Sequence, residues 1–143
     1  MTTTLESPTY DTTRADAAPK RMTRYATEAI GTMFLVFTIG CAVRSGSPLA
    51  PLAIGAVLMA MIYAGGHVSG AHYNPAVTIA ALVRGRIDVR DALSYWAAQI
   101  AGGLVGAALV GSVTHPVAAG PDPVSSHGAV AASVVEPLMT FAL

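Results

Sequence analysis

Charge is the scarcest ingredient of this chain. Asp, Glu, Lys and Arg supply 11% of its 143 residues, against about 25% in an ordinary soluble domain. That supply cannot coat a globule of this length in polar surface, so bilayer is the natural solvent. Neither sign is in excess: eight basic and eight acidic side chains give a net charge of zero, and nothing in that balance points to nucleic acid. Cysteine occurs once, as Cys41. A lone thiol closes no internal disulfide and fits no metal spacing, so Cys41 reads as a small buried apolar residue. A cleavable leader is missing too. Residues 1–24 are rich in Thr, Asp, Ala and Pro and show no apolar period. They read as a disordered tail, with neither the apolar core nor the small-residue cleavage site of a signal peptide.

What is plentiful is apolar sequence, 53% of the chain. The spacing predicts membrane spans at about 25–43, 49–65, 93–113 and 128–143, the first about the 20 residues needed to cross a bilayer. Tyr95 and Trp96 stand near the start of the third span, where aromatic belts lie. Between the second and third spans comes GGHVSGAHYNPAVT, residues 65–78, too polar to be part of either. Gln99 reads as an interhelical hydrogen bond, and Gly102 with Gly106 as a close-packing pair.

Charge sorting gives this stretch its topology. Arg14, Lys20, Arg21 and Arg24 precede the first span, and Arg84, Arg86 and Arg90 precede the third; only Arg44 lies in an opposite loop. Seven of the eight basic residues share one side if residues 66–84 enter and leave by the same face. The positive-inside rule makes that side cytoplasmic, together with the N-terminus.

Asn74-Pro75 is a strong helix start, because Asn caps and Pro tolerates the first helical position. A helix from Pro75 to about Arg84 would be roughly 15 Å long, half the hydrocarbon thickness, so its N-terminus falls near the midplane. Its partial positive charge, about half an electron, repels cations there. Gly70, Ala71, His72 and Tyr73 cannot be helical with Pro75 following, and their carbonyls would form a row of acceptors leading to the Asn74 amide. Non-helical backbone at this depth must be buried in protein or line a water-filled cavity. The plainer readings are an ordinary helix cap for Asn-Pro and packing for His67 and His72. HVSGAH lacks the His-x3-His spacing of a helical metal site, and no constellation of nucleophile, base and acid suggests an enzyme or a cofactor.

GHVSGAHYNPAVT closely resembles the first signature loop of the aquaporin and glycerol-facilitator channels. Glu28-x-x-Gly-Thr32 with MFLVF, Tyr95 to Gln99 with GGLVGA, and Val135-Glu136 with Met139-Thr140-Phe141 resemble the family's first, third and fourth helices. The resemblance implies an all-α membrane fold, an aquaporin-like bundle with three full spans, one re-entrant half-helix and part of a fourth span. It implies that Asn74, with Pro75 and Ala76, sits at the centre of a pore, and that the Gly70–Tyr73 carbonyls guide the permeant. Glu28 and its counterpart Glu136 would brace the re-entrant loops, although direct contact of either carboxylate with permeant is the other reading. A homotetramer with one pore per protomer, in a cell membrane, is implied as well.

Two departures qualify the resemblance. Twenty positions before Asn74 the family places a residue of its narrowest filter, aromatic in water-selective members and tryptophan in glycerol facilitators; here it is Ile54. The second Asn-Pro-Ala loop and the filter arginine after it are not among these residues. The expected function is passive, single-file permeation of water, or of glycerol, urea or another small neutral solute. The alternatives are a truncated non-conducting membrane protein and one half of a two-chain pore.

Overall fold

The computed structural model describes residues 19–114. The expected tail over residues 1–18, the fourth span and Glu136 lie outside the described residues. Four helices follow one another: α1 (Arg21–Arg44), α2 (Ala50–Ser69), α3 (Pro75–Val83) and α4 (Val89–Val113). The described residues contain no strand. α1, α2 and α4 are each long and apolar enough to cross a membrane.

α1 and α4 form the core pair and run parallel. Arg24 meets Asp91 near their N-termini, and Arg44 meets Thr114 at their C-termini. Between these ends the backbones nearly touch, because Gly102 lies on the Ala29 carbonyl and Gly106 on the Met33 carbonyl. Small residues permit this approach where apolar burial drives nothing, since lipid is as apolar as Leu. α2 returns antiparallel after the turn at residues 45–49, and its last residue, Ser69, arrives beside Glu28 of α1. α3 packs chiefly on α4, and its end and the following turn join a small cluster of Ile87, Ala92 and Tyr95 with Tyr25, Ala81 and Leu82.

Several boundaries differ from the sequence reading, each for a local reason. Residues 21–24, read as tail, are the first turn of α1, held there by the bonds from Arg24 to Asp91 and Tyr95. Residues 66–69, read as loop, are the last turn of α2; the break falls at Gly70, whose left-handed φ of 89° caps the helix, a conformation glycine adopts without a Cβ penalty. α4 begins at Val89, not 93, because the Asp88 side chain caps it by accepting the Asp91 N–H. Half-helix α3 is nine residues long. It ends in a Schellman turn, with Gly85 N–H donating to Leu82 O and Arg86 N–H to Ala81 O.

Candidate functional site: the re-entrant loop

Only residues 70–74 between α2 and α3 are non-helical, and they are strained. Ala71 and Tyr73 have φ of 53° and 48°, each costing about 1–2 kcal/mol for an L-residue. The strain persists because α1 grips this backbone from both sides. Glu28 is completely buried and its carboxylate takes four donors. Oε1 accepts from Ser69 Oγ at 2.6 Å and from His72 N–H at 3.0 Å. Oε2 accepts from Tyr73 N–H at 2.7 Å and from Gln99 Nε2 at 2.9 Å. One turn later Thr32 Oγ1 donates to the Tyr73 carbonyl at 3.2 Å. Hydrogen bonds to an ionised acceptor are roughly twice as strong as neutral ones.

Thr32 is the twelfth of the 24 residues of α1, so the contact with Tyr73 places the start of α3 level with the middle of that helix. Asn74 caps α3, its Oδ1 accepting the Ala76 N–H at 2.8 Å. That bond assigns the two amide hydrogens to the outward side. Pro75 and Ala76 are exposed. From Asn74 the half-helix descends toward the end at which α1 and α4 begin, and Arg84 and Gly85 turn the chain into α4 there. The segment thus enters and leaves by one face.

The expected row of acceptors comprises the carbonyls of residues 70–73, and they differ in how the protein uses them. Among the described residues nothing donates to the carbonyls of Gly70, Ala71 and His72. The Tyr73 carbonyl, by contrast, accepts from Thr32 Oγ1 with one of its two lone pairs. Tyr73 is a wedge: 2% exposed, it lies on Gly31 and Gly65 where no Cβ would fit, and its hydroxyl donates to the Met61 carbonyl at 2.9 Å. Ile54 is not brought to this loop. It lies in the second turn of α2, half-buried, and Ser69 follows about 22 Å further along the helix axis.

α4 supplies three further partners, of which the sequence reading anticipates only Gln99, as the interhelical hydrogen bond it makes to Glu28. Tyr95 and Trp96 are not belt residues. Tyr95 is fully buried, donates to the Ser69 carbonyl at 2.6 Å, accepts from Arg24 Nε at 3.1 Å and meets the His72 ring edge-on at 5.1 Å. Trp96 Nε1 donates to the Pro75 carbonyl at 3.2 Å. Gln99 spends one amide hydrogen on Glu28 and the other on Thr78 Oγ1, at 3.0 Å; among the described residues its Oε1 has no partner. Thr78 Oγ1 also lies 3.2 Å from the Asn74 carbonyl and 3.1 Å from His72 Nδ1, and the imidazole tautomer decides which of the two takes its hydrogen.

The fold and site define a multi-pass membrane protein built around a half-helix whose N-terminus is presented at mid-depth. A family model for the major intrinsic proteins matches residues 16–143. The chain belongs to that family, whose members are channels and not enzymes. It is similar to a glycerol uptake facilitator-like protein of Lactiplantibacillus plantarum, with 45% identity over 64% of this chain and 44% of the relative. It is similar also to the lens fiber major intrinsic protein of the dog, with 42% identity over 65% of this chain and 38% of the relative. Aquaporin Z of Brucella melitensis is 33% identical over 75% of this chain and 49% of its own length. The chain thus spans less than half the length of these relatives.

Proposed function

We propose that these residues form one wall of a passive channel for water and small neutral solutes. The observation that carries the reading is the conjunction at Asn74. Three carbonyls without donors among the described residues, at Gly70, Ala71 and His72, lead to an amide whose oxygen is spent on capping and whose hydrogens face outward. A permeant that both donates and accepts can move along such a line by exchanging hydrogen bonds. A cation meets the positive end of α3, about half an elementary charge, in a medium that hydrates it poorly. The opposite wall comes from a second re-entrant element facing Asn74, and the assembled protein is a tetramer with a pore in each protomer. The N-terminus is on the cytoplasmic side of the cell membrane, because six of the seven described basic residues gather at the end where α1 and α4 begin.

Stopped-flow swelling of proteoliposomes containing the full gene product tests the proposal. Water permeability should rise well above that of empty vesicles, and a parallel glycerol gradient reads solute range. Asn74→Asp puts a negative charge at the mouth of the half-helix field and should admit a cation current. Unchanged water permeability in the wild type, or an Asn74→Asp protein as cation-tight as its parent, overturns the reading.

A further inference from the structure

The end of the bundle where α1 and α4 begin carries charge that the re-entrant loop does not use. Lys20, Arg21 and Arg24 stand at the start of α1, and Arg84, Arg86 and Arg90 flank and follow the Gly85 turn. Two carboxylates face them, and both are engaged. Asp88 caps α4. Asp91 accepts from Arg24 and Tyr25 and pairs with Arg21 at 3.8 Å. Arg84, Arg86 and Arg90 are exposed and form no ion pair among the described residues. They are not on a loose loop. The Schellman bonds at Gly85 fix the turn, and buried Ile87 pins it against Ala92 and Tyr95.

Beside these arginines lie bare apolar side chains. Val83, Val89 and Leu93 are 82%, 63% and 55% exposed. Val83 adjoins Arg84 in sequence, and Val89 and Leu93 lie one helical turn apart on one side of α4. Exposed guanidinium groups on a fixed turn, next to exposed apolar side chains, match a molecule with an anionic head and a hydrocarbon tail. We propose that this corner of the protein is a site for an anionic phospholipid. Arg84, Arg86 and Arg90 take the phosphate, and the acyl chain lies along Val83, Val89 and Leu93. Planar guanidinium groups suit phosphate oxygens, to which they donate in pairs. The apolar strip selects the lipid over free phosphate, which has nothing to lay there. The proposal depends on insertion in a bilayer and not on permeation.

Electron spin resonance of the full-length protein in phosphatidylcholine vesicles, doped with spin-labelled phosphatidylglycerol or phosphatidylcholine, measures the preference directly. The motionally restricted fraction should favour phosphatidylglycerol by about fivefold or more at low salt. The variant carrying Arg84→Gln, Arg86→Gln and Arg90→Gln should lose most of that preference. Arg44→Gln, at the opposite end, should keep it. Val83→Ser with Leu93→Ser, which leaves every charge in place, should weaken it, and excess inorganic phosphate should compete poorly. Equal restriction of both lipids in the wild type, a preference that survives loss of the three arginines, or full displacement by inorganic phosphate each overturns the site. Because the serine variant alters no charge and the glutamine variant no apolar residue, parallel losses in both with unchanged thermal melting separate binding from misfolding.

Discussion

Glu28 and Tyr73, 45 positions apart, share a hydrogen bond of 2.7 Å that fixes the strained end of the re-entrant loop to α1. Both backbone groups of Tyr73 are held by one helix, the N–H by Glu28 and the carbonyl by Thr32. Of the two left-handed non-glycine residues, Tyr73 is held directly by the carboxylate and hydroxyl at i and i+4 of α1, and Ala71 through Ser69 Oγ, which accepts the Ala71 N–H and donates to Glu28.

Glu28→Gln is therefore far from conservative. A carboxylate offers acceptors on both oxygens, whereas the amide turns one of them into a donor facing donors. Either orientation sets an amide N–H against a backbone N–H, that of His72 or that of Tyr73, and forces Ser69 or Gln99 to reverse its role. The expected cost is about 2–4 kcal/mol, read as a lower thermal midpoint of the solubilised protein, with a matching loss of permeability. A Glu28→Gln protein as stable as its parent contradicts this account of the loop.

The Arg24, Asp91 and Tyr95 cluster makes a second expectation. Tyr95 relays between the Arg24 guanidinium and the Ser69 carbonyl. Tyr95→Phe removes both bonds while keeping the ring, and leaves a buried carbonyl unpaired, for about 1–3 kcal/mol. Asp91→Asn should cost more than Arg21→Ala, because the Arg21 side chain is half exposed and the Asp91 side chain is 7% exposed; exposed pairs contribute about 0–1 kcal/mol. Chemical denaturation of the three variants ranks them, and an Arg21→Ala cost equal to that of Asp91→Asn refutes the ordering.

What the residues disclosed on their own was local. Asn74 caps α3 through a bond spanning two residues, and dipeptide chemistry predicts such a bond. The same-face path of the loop followed from charge sorting, because the end of a spanning helix cannot hide its arginines. The Glu28 brace came through the family resemblance, since no spacing rule ties a helix carboxylate to a loop some forty positions later. What the neighbours of Tyr73 could not disclose is that it is also a wedge, because its left-handed φ and its seat on Gly31 and Gly65 depend on α1 and α2. Trp96 and Tyr95 were misread for a related reason. An aromatic near a helix start is as consistent with a lipid belt as with a buried strut, and only the 21 and 26 positions separating them from Pro75 and Ser69 in the folded contacts distinguish the two.

The Gly102 and Gly106 contacts give a steric test with an internal control. A Cβ at Gly102 would overlap the Ala29 carbonyl, and one at Gly106 would come within 2.6 Å of the Met33 carbonyl. Backbone cannot swing aside as a side chain can. Gly102→Ala and Gly106→Ala should each force α4 away from α1, at about 1–3 kcal/mol. Gly111→Ala meets nothing within 4 Å and should be neutral or slightly stabilising through helix propensity. Melting curves in one detergent compare all three; equal midpoints for Gly102→Ala and Gly111→Ala would sink the close-packing account.

Trp96 separates position from stability. Its indole N–H reaches the carbonyl of Pro75, in the first turn of α3, while Gln99 holds Thr78 three residues further on. Trp96→Phe removes the outer of these two grips and leaves the inner one. The carbonyl stays in the first turn of the helix, so the expected stability cost is small, about 0.5–1.5 kcal/mol. The mouth of the half-helix, however, becomes free to tilt about the Thr78 contact, which moves Asn74 relative to the opposite wall. Permeability measured by stopped-flow swelling should therefore fall by more than the shift in melting would suggest. Gln99→Leu, which frees the inner grip and strips a donor from Glu28, should lose stability and transport together. If Trp96→Phe leaves transport intact while Gln99→Leu abolishes it, the half-helix is positioned from Thr78 alone and the indole bond is dispensable.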